Sequence, residues 1–90
     1  MWTWLKGNST REETARCLEL ILDGADYVWG DYTDIVQRDL ELDALRLKIL
    51  ELETSHPPGP MDFYVNPAAQ AIIRRYIREL RDGGNSWMLA

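Results

Sequence analysis

One cysteine (Cys17), one histidine (His56) and one phenylalanine (Phe63) are all that the 90 residues hold of these three types. A lone cysteine closes no internal disulfide and builds no cysteine-based zinc site, which fits a reducing compartment. A lone histidine leaves any metal site to carboxylates and leaves nucleophilic catalysis a single candidate base. His56 stands beside Pro57 and Pro58, and Cys17 lies beside the apolar face of its helix, the place of a half-buried structural thiol. A Cys17-His56 pair is therefore read as structural rather than catalytic.

Long apolar runs are missing too. Leu20-Ile21-Leu22 is far too short to span a bilayer, and Met1 to Gly7 lacks the apolar stretch of a secretory signal, so the expected location is the cytoplasm. Positive charge is scarce: ten Lys and Arg against fifteen Asp and Glu leave a net charge of -5. Such a balance repels nucleic acid and anionic membrane, and it favours either plain solubility or a basic partner. Arg74, Arg75, Arg78 and Arg81 are the exception, but they fall opposite an apolar face, where solvated arginines paired with Glu79, Asp82 or acids elsewhere belong.

What is present is the material of one folded unit. An apolar fraction of 46% with 28% charged residues is ordinary for a globular chain, and 90 residues suffice for one core. The patterning is helical throughout, so the expected fold is all-α, a small three- to four-helix bundle over 1-90, with helices at about 10-24, 39-54 and 67-82 and tails at 1-8 and 84-90.

Thr10 followed by Glu13 is a capping box, in which the Thr10 hydroxyl accepts from the Glu13 amide and the Glu13 carboxylate reaches back. Thr14, Ala15, Leu18, Ile21, Leu22 and Ala25 then share one face, and Gly24 marks the end. Asn66 caps the last helix with Pro67 at its first position, and Ala69, Ile72, Ile73, Tyr76, Ile77 and Leu80 form its buried face before Gly83-Gly84. The middle helix is different. Leu42, Leu45, Ile49 and Leu52 make one seam, while Leu40, Ala44 and Leu47 make a second on the other side. A helix apolar on two sides needs two neighbours: the favoured reading sandwiches it between the other helices, and the other makes Leu40, Ala44 and Leu47 a homodimer contact.

Residues 26-38 are rich in aromatics and broken by Gly30, and read as an ordered loop with a short helical turn within 26-36; a second short turn falls within 61-65. The loop interleaves Tyr27, Trp29 and Tyr32 with Asp26, Asp31 and Asp34. Aromatics supply anchoring area at an interface and acids steer a basic partner, so these residues are candidate binding residues. An equal reading has the aromatics covering the end of the bundle with the acids merely solvated. Trp2, Trp4 and Trp87, near the chain ends, are expected to fold back on the core.

A carboxylate-held metal ion is the strongest enzymatic alternative, acting on a phosphorylated small molecule. Glu12, Glu19 and Asp23 point away from the core, however, and Glu41, Asp43, Glu51 and Glu53 scatter around their helix, so convergence on one ion is not expected. Neither a metal nor a cofactor is anticipated.

Between the second and last helices stands Glu53-Thr54-Ser55-His56-Pro57-Pro58-Gly59-Pro60-Met61-Asp62-Phe63-Tyr64-Val65-Asn66-Pro67. This stretch resembles the colicin-type nuclease immunity proteins of bacteria, acidic chains of about this length with a His-Pro-x-Gly bend followed by an Asp, Tyr and Pro segment. The resemblance implies a four-helix fold that grips a basic nuclease toxin without catalysis of its own. By position, it implies Tyr64 as anchor, with Asp62 beside it and Glu51 and Glu53 in support. The function expected from the whole reading is non-enzymatic protein binding, plausibly by an inhibitor or immunity protein acting through Tyr27, Trp29, Asp31, Tyr32, Asp34, Glu51, Glu53, Asp62 and Tyr64.

Overall fold

The computed structural model describes residues 3-55 and 66-88. Among the described residues four α-helices form: α1 (Arg11–Leu22), α2 (Asp26–Asp34), α3 (Leu40–Ser55) and α4 (Pro67–Asp82). Short 3-10 turns at Thr3–Lys6 and Ser86–Met88 flank them. The fold is thus all-α, a small helical bundle, and no described helix is long and apolar enough to cross a membrane.

α1 begins where Thr10 accepts from the Glu13 amide at 3.1 Å. The other half of the expected capping box does not form. The Glu13 carboxylate turns instead to the N-terminal segment, accepting from the Trp4 amide at 3.1 Å and from the Thr3 hydroxyl. A tertiary partner outcompetes the local one because it also satisfies the amide of a buried tryptophan. α1 buries Thr14, Ala15, Cys17, Leu18 and Ile21, so Cys17 is wholly inside the core rather than half-buried. α4 runs antiparallel to α1, with Arg11 at the start of α1 against Leu80 near the end of α4, and Leu22 and Asp23 at the end of α1 beside Arg74, Ile77 and Arg78. Its cap matches expectation: Asn66 accepts from the Ala68 and Ala69 amides, Pro67 opens the helix, and Gly83 closes it in a left-handed turn at φ 92°.

Within the 26-38 segment, where an ordered loop with a short helical turn was expected, Asp26–Asp34 form a helix of nine residues and only 35-38 remain a link. Gly30 costs α2 about 1 kcal/mol relative to alanine, and Ala25 offers no side-chain cap. Burial overrides both: winding the segment helically puts Val28, Trp29, Tyr32 and Thr33 into the core, and Tyr32 meets Trp4 edge-on at 6.3 Å. A buried arginine secures the end of α2, since Arg46 donates to the Thr33 carbonyl at 2.6 Å and to Asp43 at 2.8 Å.

The link into α3 is fastened by Gln37, which is buried. Its amide nitrogen donates to the Trp4 and Ile35 carbonyls and its oxygen accepts from the Ser9 amide, each at 3.0 Å. Arg38 donates through its amide to the Gly7 carbonyl at 2.8 Å. Gly7 sits at φ 77°, and a Cβ there would lie 2.9 Å from the Val36 carbonyl oxygen, so this close crossing of two segments needs glycine.

Trp4 and Trp87 both fold into the core. Trp87 meets Tyr76 edge-on at 5.8 Å and donates from its indole to the Glu41 carbonyl at 2.8 Å, anchoring the C-terminal turn on α3. α3 turns Leu42, Leu45, Ile49 and Leu52 inward. Its second seam is covered only in part, short of the sandwich expected for it: Ala44 is half-buried against the core, whereas Leu40 is 83% and Leu47 47% exposed.

Candidate functional site

The outer face of α3 is where the described surface departs most from an ordinary solvated one. Leu40, Ala44, Leu47 and Leu50 follow each other at spacings of four, three and three, so their side chains line one stripe about 15 Å long. Leu50 is 38% exposed, Ala44 is half-buried, and Val36, in the link that enters the helix, is 64% exposed. Single exposed leucines need no explanation, but an aligned row of them does.

Carboxylates accompany this row. Asp31 and Asp34 are exposed on α2, Asp39 precedes Leu40, and Glu51 lies one turn beyond Leu47. Asp39 also caps α3, accepting from the Glu41 and Leu42 amides at 2.9 and 3.1 Å. Against these acids stand Arg38 and Lys48, the latter 4.0 Å from Glu51. Arg46 adds no free positive charge here, being buried against Asp43 and the Thr33 carbonyl. The Arg46 guanidinium, aided by the Gln37 amide, holds the Asp43 carboxyl below its ordinary range.

The candidate residues read from the sequence divide three ways. Asp31, Asp34 and Glu51 are exposed, Glu51 on α3 and the other two on α2. Trp29 and Tyr32 are not: at 5% and 0% exposure they belong to the core, which corrects their reading as anchors. The reason is α2 itself, whose helical winding turns positions 28, 29, 32 and 33 inward together. Tyr27 and Glu53 lie within α2 and α3 with side chains outside the described part, and Asp62, Tyr64 and His56 lie outside the described residues altogether. Leu40 and Leu47 were visible with Ala44 as the second apolar seam of α3, and Leu50 was not read as part of it; their exposure was not visible, because exposure depends on which neighbours the topology brings.

Groups that could carry covalent or metal chemistry are placed otherwise. Burial, with the nearby Glu13 charge, pushes the Cys17 thiol up to about 12, so it stays protonated. Burial likewise raises the Tyr32 phenol above its ordinary range. Among the described residues no three His, Cys, Asp or Glu side chains converge to hold a metal ion. Two acids of α1 are instead bound to α4: Arg81 reaches Glu12 at 2.9 Å and Glu19 at 2.8 Å, and both carboxyls are lowered from their usual range by those hydrogen bonds.

The site as built thus offers an apolar-striped helix face flanked by Asp39 and Glu51. Comparison with protein families, with curated proteins and with solved structures finds no match for this chain.

Proposed function

We propose that the chain is a non-enzymatic protein-binding module that presents the outer face of α3 to a basic protein. One observation carries this reading: Leu40, Leu47 and Leu50 stand exposed in a row beside the carboxylates of Asp39 and Glu51, with Asp31 and Asp34 on the neighbouring helix. Apolar side chains supply the contact area that is desolvated on docking, while the acids steer a partner of opposite charge and exclude partners of like charge. A second copy of the chain would bring the same carboxylates against these, which favours a basic partner over self-association. The most specific form of the function is an inhibitor or immunity protein directed at a basic toxin, a form that rests on the resemblance in the His56 to Pro67 stretch.

Capture from an extract of the native cell tests the reading when the wild type is compared with Leu40→Lys/Leu47→Lys. The expected result is a basic protein retained by the wild type at low salt, released as salt rises, and absent from the double variant. Retention of the same proteins by both baits would overturn it. So would a dimer mass in light scattering that becomes monomeric in the double variant, because the face would then be occupied by a second copy.

A further inference from the structure

A groove of about 430 Å³ runs along the seam between α1 and α4, lined by Glu19, Leu22, Asp23, Arg74, Ile77 and Arg78. Its walls carry opposite charge. Glu19 is engaged by Arg81 at 2.8 Å, whereas Asp23 on one wall and Arg74 and Arg78 on the other form no ion pair among the described residues. Of its two acids and two arginines, Asp23, Arg74 and Arg78 therefore line the groove without an ion pair among the described residues, beside half-buried Leu22 and buried Ile77.

Each wall has a chemical preference. Arg74 and Arg78 are one helical turn apart, so their guanidinium forks can converge on a single carboxylate. Asp23 is the C-terminal cap residue of α1, where the partial negative charge of the helix end adds to that of the side chain and favours an ammonium. The remaining lining residues, Leu22 and Ile77, are apolar and suit an apolar side chain. We propose that this groove binds the zwitterion of an apolar amino acid, free or as a short peptide, with its carboxylate on Arg74 and Arg78 and its ammonium toward Asp23. A ligand with only one of the two charges satisfies one wall and leaves the other as it was. The site belongs to α1 and α4 and is independent of the α3 face.

Nuclear magnetic resonance titration of the 15N-labelled chain tests this with four probes: leucine, the dipeptide Leu-Leu, N-acetyl-leucine, which lacks the cation, and leucinamide, which lacks the anion. Leucine or the dipeptide should shift the amides of Leu22, Asp23, Arg74, Ile77 and Arg78 saturably, and the tighter of the two identifies the source. Each one-charge analogue should bind at least about tenfold more weakly. Arg74→Gln/Arg78→Gln, exposed changes on a helix capped elsewhere, should abolish the shifts, and Asp23→Asn should erase the preference for leucine over N-acetyl-leucine. Absence of saturable shifts with either zwitterion up to about 50 mM overturns the proposal. Equal binding of leucine and leucinamide, or shifts unchanged by the arginine substitutions, also overturns it.

Discussion

Arg11 Nε donates to the Leu80 carbonyl at 3.0 Å, so the first residue of α1 caps the last turn of α4. The same guanidinium donates to the Glu79 carbonyl at 2.9 Å and to the Gly84 carbonyl, pairs with Glu41 of α3, and lies 5.5 Å from the centre of the Trp87 ring. The Glu79 carbonyl already accepts from the Gly83 and Gly84 amides at 2.9 and 2.8 Å, whereas the Leu80 carbonyl lies past the reach of intrahelical donors and takes its donor from the planar guanidinium of a neighbouring helix. One side chain thereby joins three helices and the C-terminal turn.

Arg11→Ala should lower stability by about 2-3 kcal/mol, since it takes the donor from the part-buried Leu80 and Gly84 carbonyls and removes a cation from Trp87. Arg11→Lys should recover little, because a single ammonium does not reproduce the fork that meets Leu80, Glu79 and Gly84 together. Thermal unfolding measures the total loss. Hydrogen exchange should show the amides of 83-88 opening before those of α1 and α4.

Burial of Cys17 predicts an alkaline instability with a defined sign. The folded thiol is held at about 12 against an ordinary 9.0, so the folded state keeps its proton where the unfolded state has lost it. The contribution is complete below the unfolded value and declines as pH rises toward the folded one, by about 1.4 kcal/mol per pH unit within that window. Denaturant unfolding between pH 8 and 11 should show wild type losing stability faster than Cys17→Ala, the two curves approaching each other with pH. Parallel curves would contradict the placement of this thiol in the core. At neutral pH a thiol reagent should label Cys17 no faster than the chain unfolds.

The acid side depends on Arg81. Its hydrogen bonds lower the Glu12 and Glu19 carboxyls from an ordinary 4.5, so their contribution is present above that value and is lost as pH falls through the lowered folded values. Arg81→Gln should return both titrations to the ordinary range, as followed by carboxyl nuclear magnetic resonance. These groups are exposed, so the accompanying change in stability should be small and should fade with added salt.

What the sequence discloses about this fold is local in origin. Thr10, Asn66, Pro67 and Gly83 declare helix ends because a cap needs only its neighbours, and the face of α4 declares itself because its apolar residues repeat without interruption. α2 is hidden for the opposite reason: Gly30 and an uncapped start argue locally against the helix, and only the burial of Trp29 and Tyr32 reverses that. The partners of Arg11 and Gln37 are equally illegible, since Arg11 and Leu80 stand 69 positions apart and nothing in their surroundings names the other. As for the candidate surface, its residues are legible and its exposure is not. The two seams of α3 look alike along the chain, and the tertiary packing alone decides which becomes core.

That decision separates Leu45 from Leu47, two positions apart on one helix. Leu45 is wholly buried, so Leu45→Ala should cost about 2-5 kcal/mol through lost burial and the cavity left behind. Leu47 is 47% exposed, so Leu47→Ala should change stability by no more than about 0.5 kcal/mol. Binding should respond in the reverse order. A chain kept folded well below its melting temperature should hold a basic partner nearly unchanged in Leu45→Ala and at least about tenfold more weakly in Leu47→Ala, because only the second shortens the exposed row. Adding Leu40→Ala should weaken binding further without moving the unfolding transition, the signature of side chains whose contacts lie in the complex rather than in the fold. If Leu47→Ala instead destabilises the chain as Leu45→Ala does, the outer seam is covered in solution and the face is not free to dock.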